Sequence, residues 1–523
     1  MLLNRAAKSW TAADAGARTW WRAATVLLTA GAAAWAVFGS KWLFPYLSVN
    51  HDEAVYRLQA DALFHGHLFP VAPAQHYQAF QPWLSAYRNG HFIPKYAPVH
   101  ASVLAAGRWL TGTDRAGLGI IAAGAVLATF AVARQVLEDE RWATVACGLL
   151  VASPLFFLQS ATFLTYTTGY TLLALLAACL LKAARSGRSG WFWLSGLIGG
   201  LAFFARSFDL VLFGAPLVIG LVLWTVRNSW ASLWRSLVLM GAGALGPVLA
   251  LAWFNRQATG HWLRSPFGLL DASDSIGFGP HRIYPNDPYL HFTPQLGLLG
   301  LLRNMALTGF WCFGGLVLIG LAVFAVLRAP RPSRRIWAAL AAAGLAIPLG
   351  YFFFWGSYGA ILFGAPRYLG PYYYMPVLLP VVVLGCAGLR WLVRWDGVVA
   401  VLAILGMLGI STFVEARTVG ADLSVTSDNR HLFTGLDHAH LRNALVFLPP
   451  LGSPYLLLGF GTAMNSYGYG GPVVYALDEG QGADRAVAQL FPRRRAYRLV
   501  VTGTFRQDPP DAHLSSHLVP LAT

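Results

Sequence analysis

Residues 191–226 read WFWLSGLIGGLAFFARSFDLVLFGAPLVIGLVLWTV, and their only charged side chains belong to Arg206 and Asp209. A helix needs about 20 mostly apolar residues to cross the hydrocarbon core of a bilayer. The stretch is long enough for two short crossings, near 191–206 and 208–226. It therefore predicts a tight membrane hairpin with Arg206 and Asp209 at its turn.

The rest of the chain repeats this pattern. Only 11% of its 523 residues are charged and 56% are hydrophobic, with a mean hydropathy of +0.52, whereas soluble domains have about 25% charged residues. Further apolar stretches that could cross a bilayer lie near 22–44, 116–136, 142–160, 166–183, 236–254, 304–327, 336–355, 373–389 and 397–414. Composition and pattern together predict an all-α polytopic membrane protein with about eleven transmembrane helices.

The distribution of lysine and arginine predicts the orientation, because cytoplasmic loops carry an excess of both. With a cytoplasmic N-terminus, alternation of the spans places the later basic clusters on that same side: Lys182/Arg185/Arg188, Arg227/Arg235, Arg328/Arg331/Arg334/Arg335 and Arg390/Arg394. This bias and the anionic lipid headgroups account for much of the net charge of +16, so the charge is not a nucleic-acid signature. An odd number of spans then places the C-terminal part outside.

Three predicted outer segments are too long to be simple connections. The first outer loop, 45–115, contains amphipathic stretches near 53–65 and 99–110, which predict helices lying in the membrane interface. The second outer loop, 255–303, is irregular up to about Gln295 and rich in glycine, proline and histidine. We predict a membrane domain over 1–420 and a small extracytoplasmic α/β domain over 421–523, with strands near 444–448, 455–460, 473–475 and 498–502 and a helix near 482–490.

Charged residues at the outer ends of the predicted spans are candidate site residues, because such groups are costly there and usually have a functional partner. Asp52 and Glu53 follow the first span. They either cap a helix or supply a general base that faces a cavity. Lys95 either reaches lipid headgroups or contacts a ligand. Arg206 and Asp209 either hold the hairpin together or contact a ligand.

Several arginines on the predicted outer side run against the positive-inside trend. A guanidinium group binds phosphate bidentately, so arginines that converge on an outer cavity indicate an anionic, phosphorylated ligand. The residues concerned are Arg256, Arg264, Arg282, Arg303 and Arg367.

Metal binding has little support in the sequence. His281 and His291 are separated by ten positions in an irregular loop, without the strict spacing of a metal site. The four cysteines lie within predicted spans and show neither metal-ligand spacing nor a disulfide framework. The sequence therefore predicts no cofactor and no metal.

Five segments, in order and with matching topology, resemble the GT-C superfamily of polyprenyl-phosphate-sugar-dependent glycosyltransferases. The resemblance is closest to the branch of the protein O-mannosyltransferases and the lipid A aminoarabinose transferase. GFGPHR (277–282) and FPRRRAY (491–497) resemble a bacterial sub-branch of the same enzymes. The likeness covers roughly residues 20–500, and its five segments are HDEAVY (51–56), PKYAP (94–98), ASPLFFLQSATFLTYTTGYTLLALL (152–176), LIGGLAFFARSFDLVLFGAPL (197–217) and PRYLGPYYYMPVLLP (366–380).

The resemblance implies a GT-C fold and an inverting mechanism. The donor would be a sugar linked to a polyprenyl phosphate, and the acceptor a hydroxyl of a glycan, lipid or protein. Asp52, followed by Glu53, matches the family's catalytic carboxylate, which deprotonates that hydroxyl for in-line attack at the anomeric carbon. The residues expected on the donor phosphate are Lys95, Arg206, Arg367, Tyr368 and Arg282, and those expected near the substrate are His51, Asp209, His281, His291 and Tyr166.

The chain departs from the family pattern in two places. Tyr166 or Thr167 stands where the family often has Asp or His, at the junction of the third and fourth spans. Tyr96 and Ala97 follow Lys95 where Pro-Pro or Pro-Leu is commoner. The branch that the chain resembles tends not to need a metal.

Two other functions stay open at this stage. A flippase or other transporter of a lipid-linked glycan usually has internal repeats and polar residues near the membrane midplane, and the sequence has neither pattern. The third hypothesis is a non-catalytic membrane protein that binds a lipid-linked sugar. In each case we expect a multi-pass protein of the bacterial cytoplasmic (inner) membrane, with membrane lipids as further partners and no nucleic acid.

Overall fold

The computed structural model describes residues 12–225, 230–331, 333–362, 364–449, 461, 464–502 and 515–521, and every structural statement below concerns these residues. The strand expected near 455–460 lies outside them. Helices dominate the fold because a chain in hydrocarbon must satisfy its backbone N–H and C=O groups internally.

The helices form the membrane domain and part of the structure that covers one end of it. In chain order they are α1 (Ala12–Trp42), α2 (Asp52–Phe64), α3 (Val99–Thr111), α4 (Arg115–Leu137), α5 (Glu140–Val151), α6 (Pro154–Gln159), α7 (Tyr166–Ser186), α8 (Ser189–Thr225), α9 (Trp230–Thr259), α10 (Pro294–Trp311), α11 (Leu316–Leu327), α12 (Arg334–Tyr351), α13 (Trp355–Leu362), α14 (Ala365–Leu369), α15 (Leu378–Trp395), α16 (Gly397–His438) and α17 (Gln481–Gln489).

The strands form two hairpins and one larger sheet. The first hairpin pairs β1 (Ser85–Arg88) with β2 (His91–Pro94), and the second pairs β3 (Gly279–His281) with β4 (Leu290–Phe292). In the larger sheet β5 is parallel to both β6 and β7, and β8 is antiparallel to β7. Its strand order is β6-β5-β7-β8, with the bounds Ala444–Leu448 (β5), Val473–Leu477 (β6), Arg495–Thr502 (β7) and Ser515–Pro520 (β8).

Seven of the described helices are long and apolar enough to cross a membrane: α1, α4, α7, α8, α9, α15 and α16. Two bent pairs raise the number to nine, namely α10 with α11, bent by 98°, and α12 with α13, bent by 73°. The sequence predicted about eleven. The span expected near 142–160 is divided into α5 and α6, and the two spans expected over 191–226 are both contained in α8.

The backbone of α8 leaves the helical region at Arg206, where φ is −151° and ψ is 75°. A Cβ atom on Gly199 and one on Gly214 would each lie 3.7 Å from the side chain of Leu176. In a continuous helix these two glycines would be about 22 Å apart. The chain therefore reverses at Arg206, as expected from the sequence, and Asp209 lies one turn beyond the reversal.

One end of the helical bundle carries α2, α3, both hairpins and the four-stranded sheet, and we call it the capped end. The stretches expected to form interfacial helices are α2 and α3, which pack against each other. The backbone N–H of Leu84 donates to the Tyr284 hydroxyl (2.7 Å), which joins the two hairpin regions. Phe92 of β2 and Phe447 of β5 belong to one apolar cluster. The capped end is thus a single packed layer.

The C-terminal region contains the predicted strands near 444–448, 473–475 and 498–502 as β5, β6 and β7. The helix expected near 482–490 is α17, which connects β6 to β7. A small α/β unit at the C-terminus is therefore confirmed. The predicted boundary between 420 and 421 falls inside α16, which continues to His438.

The C-terminal sheet is docked onto the first outer loop. The backbone N–H of Tyr467 donates to the carboxylate of Asp61 in α2 (2.6 Å), and the Tyr469 hydroxyl donates to the carbonyl oxygen of Val71 (3.1 Å). Asp61 also forms an ion pair with Arg108 of α3. The helix α2 therefore connects α3 to the C-terminal unit.

Glycines allow the first half of α8 to approach α9 closely. A Cβ atom on Gly243 would collide with the backbone carbonyl oxygen of Trp193, and one on Gly196 with that of Met240. Because lipid provides no hydrophobic force between helices, membrane helices associate through such close packing at small residues.

Replacing Gly243 by alanine should therefore destabilise the protein. The added methyl group meets backbone atoms, so the helices must separate, and overpacking of this kind costs about 1–3 kcal/mol. Gly246→Ala in the same helix is the matched control, because a Cβ atom there meets nothing within 4 Å. Thermal unfolding in detergent should show a lowered midpoint for Gly243→Ala alone. Equal midpoints for the two variants would contradict the packing.

Candidate functional site

Asp52 is the first residue of α2 and lies at the capped end. Its backbone N–H donates to the side-chain oxygen of Asn50 (3.0 Å). Its carboxylate accepts a hydrogen bond from the Tyr96 hydroxyl at 2.8 Å. The ring of Tyr96 stacks on that of Tyr56, with centroids 5.1 Å apart. The carboxylate therefore faces an aromatic wall made by α2 and the segment before α3.

The pKa of Asp52 is raised above its ordinary value. Burial is the largest cause, and the negative charge of Asp274 acts in the same direction. The hydrogen bond from Tyr96 and the positive charges of Lys95 and Arg206 lower the pKa but do not cancel the effect of burial. The charges of Lys95, Asp274 and Arg206, from three other parts of the chain, therefore act on Asp52.

Lys95 is buried in this cluster. Its ammonium group forms an ion pair with the carboxylate of Asp274 from the second outer loop. The ammonium also lies 4.0 Å from the ring centroid of Phe267 and 5.8 Å from that of Tyr96. Lys95 therefore points into the protein, so the lipid-headgroup alternative considered from the sequence does not describe its position.

Arg206 lies at the reversal of α8 and is paired with Asp209. Its guanidinium group donates to the hydroxyl of Tyr351 (3.0 Å), and that hydroxyl donates to the other oxygen of Asp209. The guanidinium lies 4.4 Å from the ring centroid of Tyr166, at the start of α7. Arg206 thus holds the hairpin turn together, and its positive charge also acts on Asp52.

Further tyrosines line the same region. The ring of Tyr166 is 4.6 Å from that of Tyr372 and 5.4 Å from that of Tyr373, and Tyr351 is 5.1 Å from Tyr373. Asp52 interacts electrostatically with both Tyr372 and Tyr373. Aromatic rings present flat apolar faces with a polar edge, so the surface formed by these tyrosine rings is suited to an amphipathic ligand.

Glu53 occupies a different position from Asp52. It is fully buried, and its two oxygens accept hydrogen bonds from the backbone N–H groups of Ser48 (2.5 Å) and Phe163 (2.7 Å). Burial raises the pKa of Glu53 to about 7. The N-cap residue of α2, His51, makes no side-chain hydrogen bond to the first turn of the helix. Glu53 therefore ties α2 to the segment before α7 rather than facing the cluster around Asp52.

Arg282, His281 and His291 of the second outer loop have three different environments. Arg282 donates to the carboxylate of Asp271 (2.6 Å), and its guanidinium lies 4.3 Å from the ring of Tyr289. His281 is buried, while His291 is exposed on the opposite face of the hairpin. The two histidines do not converge, and the described residues contain no group of three or more His, Cys, Asp or Glu that could hold a metal.

Arg367 and Tyr368 belong to α14, and His51 immediately precedes Asp52. Arg367 is exposed on α14, with its guanidinium 5.5 Å from the ring of the buried Tyr368. The ring of His51 lies 6.0 Å from that of Trp83, and burial lowers the pKa of His51 to about 4. Their roles stay predictions.

The sequence did not predict a role for Asp274 and Trp355, or for the tyrosines Tyr351, Tyr372 and Tyr373. Asp274 accepts a hydrogen bond from the indole N–H of Trp355 (3.3 Å) as well as its ion pair with Lys95. A signal was present in DASDS (271–275), two aspartates in a polar outer loop just before GFGPHR. A single sequence gives no means of pairing either of them with Lys95.

Two family models match parts of the chain. Residues 97–253 match the family described as dolichyl-phosphate-mannose-protein mannosyltransferase, and residues 444–523 match a domain of unknown function. A comparison with curated proteins finds no match.

Two solved structures are similar over nearly the whole chain. ArnT from Cupriavidus metallidurans bound to undecaprenyl phosphate has a TM-score of 0.57 and 13% identity, and the alignment covers 96% of this chain and 98% of ArnT. ArnT from the same organism in the apo state has a TM-score of 0.51 and 13% identity, with 93% of each chain covered. The resemblance to the GT-C superfamily of glycosyltransferases, first read from five sequence segments, is thus confirmed, and the chain has the GT-C fold.

Proposed function

We propose that the chain is an inverting glycosyltransferase that moves a sugar from a polyprenyl-phosphate donor to an acceptor hydroxyl. One observation carries the proposal: Tyr96 donates a hydrogen bond to the carboxylate of Asp52 (2.8 Å), and the Lys95 ammonium lies 5.8 Å from the ring of the same tyrosine. A candidate base and a candidate phosphate-binding cation therefore share one site, and the charge of Arg206 also acts on Asp52. The GT-C fold and the undecaprenyl phosphate bound to ArnT support the choice of donor.

In the proposed reaction Asp52 accepts the proton of the acceptor hydroxyl. The acceptor oxygen forms a bond to the anomeric carbon as the bond from that carbon to the phosphate oxygen breaks. The electron pair leaves on the lipid phosphate, whose charge Lys95 and Arg206 stabilise. Such electrostatic stabilisation is usually the largest catalytic contribution. A single displacement inverts the configuration of the anomeric carbon.

The proposed orientation places the capped end outside the cytoplasmic membrane of a bacterium. The basic residues that the sequence assigned to the cytoplasm, such as Arg185 and Arg188, follow α7, which begins at the capped end and leads away from it. A donor would then enter from the outer leaflet. Arg367 on α14 is exposed, and with Tyr368 and Arg282 it is proposed to guide the lipid phosphate inward.

The first test is the Asp52→Asn variant. An amide cannot accept the proton, so sugar transfer from a polyprenyl-phosphate donor to cell-envelope acceptors should fall by about 10²–10⁴-fold, while undecaprenyl phosphate still binds. Asp396→Asn is the control, because Asp396 is an exposed carboxylate between α15 and α16. Full transfer activity in Asp52→Asn would refute the role of Asp52 as the base.

The second test concerns the pH dependence of transfer. Asp52 must be ionised to accept a proton, so activity should rise with pH through its pKa, which burial raises. The Tyr96 hydroxyl lowers that pKa, so Tyr96→Phe should move the acid limb of the profile to higher pH, by about one unit for a hydrogen bond to a charged group. Tyr469→Phe, whose hydroxyl contacts Val71, is the control. An unmoved limb in Tyr96→Phe would show that Asp52 does not control the profile.

A further inference from the structure

We propose that Asp274 is a sugar-binding residue that accepts hydrogen bonds from the donor sugar when the donor phosphate engages Lys95. The inference rests on the proposed function and deepens it, because it names a specificity-determining residue in the second outer loop. The carboxylate of Asp274 would then recognise hydroxyl groups of the sugar, in addition to forming an ion pair with Lys95.

The two oxygens of Asp274 have different partners. One forms the ion pair with Lys95, and the other accepts the indole N–H of Trp355 at 3.3 Å. The carboxylate is 3% exposed. A carboxylate has about four lone-pair positions, so both oxygens keep capacity for further donors.

The loop around Asp274 is held in place by its own contacts. The backbone N–H of Asp274 donates to the carbonyl oxygen of Asp271 (3.2 Å). The two ring nitrogens of His281 lie 2.6 Å from the carbonyl oxygen of Ser273 and 2.9 Å from that of Gly277. The His281 ring also stacks on Trp355, with centroids 5.7 Å apart. These contacts hold the backbone around Asp274 in place.

The arrival of a phosphate changes the charge balance around this fixed carboxylate. Arg206 already forms an ion pair with Asp209, and Lys95 already forms one with Asp274. Once Lys95 also attracts a phosphate, Asp274 loses part of its counter-charge while it stays buried. An underpaired buried carboxylate is strongly unfavourable. Hydrogen-bond donors that arrive together with the phosphate can compensate for the counter-charge that Asp274 loses. The hydroxyl groups of a sugar are such donors.

The geometry of displacement places the sugar in reach of Asp274. The anomeric carbon must lie between the acceptor hydroxyl at Asp52 and the phosphate at Lys95 and Arg206. Asp274 contacts Lys95 directly, and its negative charge reaches Asp52. The sugar ring would thus lie between Asp52 and Lys95, next to Asp274.

The two probes of the test are phosphodiesters of equal charge, one without a sugar and one with it. Wild type and Asp274→Asn, reconstituted in nanodiscs, are titrated with the methyl ester of undecaprenyl phosphate and with undecaprenyl phosphates carrying mannose, glucose or arabinose, and undecaprenyl phosphate itself is titrated alongside. In Asp274→Asn, the methyl ester should bind more tightly, because a competitor for Lys95 is gone. The preferred sugar-linked lipid should lose about tenfold in affinity relative to the methyl ester, the size expected for a hydrogen bond to a charged group.

Asp271→Asn is the matched control, since Asp271 belongs to the same loop but pairs with Arg282; its ratio of the two affinities should equal that of wild type. If Asp274→Asn does not fold, Asp274→Glu replaces it, because a carboxylate displaced by one methylene should also lower the ratio. Equal changes for both probes would overturn the inference, since Asp274 would then act on Lys95 alone. Binding of undecaprenyl phosphate without binding of any sugar-linked lipid by wild type would instead refute the proposed function.

Discussion

Three carboxylates and two cations meet at the capped end, and their pairing decides what each group can do. A buried charge is tolerated when it is paired and hydrogen-bonded. Arg206 is paired with Asp209, and Lys95 with Asp274. Among the described residues, Asp52 forms no ion pair and accepts its hydrogen bond from Tyr96. Because Asp52 is not held in an ion pair, as Asp209 and Asp274 are, its carboxylate is the one best able to accept a proton. The proposed chemistry depends on this difference.

The place of Asp52 depends on α2, which is fixed near both of its ends. Near its start, Glu53 accepts two backbone N–H groups, one of them from Phe163 in the segment that precedes α7. In its third turn, Asp61 contacts Arg108 of α3 and the backbone of Tyr467. The base is therefore positioned by the membrane helices and by the C-terminal unit together. Through these contacts the C-terminal unit takes part in the architecture of the site.

Much of the fold could be predicted from local pattern. Amphipathic spacing identified α2 and α3, and apolar runs between turn residues identified β5, β6 and β7. The pair of charges in an otherwise apolar stretch located the reversal at Arg206, because a membrane helix rarely carries such a pair away from its end. These features depend on residues that are neighbours in the sequence, so a single sequence is sufficient to predict them.

The contacts between residues of the site could not be predicted from local sequence pattern. Lys95 and Asp274 are 179 positions apart, and no periodicity connects them. The segment PYYYMP (371–376) was singled out with its arginine, while two of its tyrosines prove to line the site. Arg282 was grouped with the phosphate-binding residues by charge alone. It pairs with Asp271 in its own loop, and its role toward a phosphate stays a prediction. Charge and residue type identify candidates, but tertiary packing decides which of them meet.

The central claim is that one site at the capped end binds a lipid phosphate through Lys95 and Arg206, with Asp52 as the base. Electron cryomicroscopy of the protein in nanodiscs with undecaprenyl phosphate tests it most directly. The account predicts density for the phosphate within hydrogen-bond distance of the Lys95 ammonium and the Arg206 guanidinium, with the carboxylate of Asp52 facing the same space. A phosphate bound at the opposite end of the bundle, or away from both cations, would contradict it.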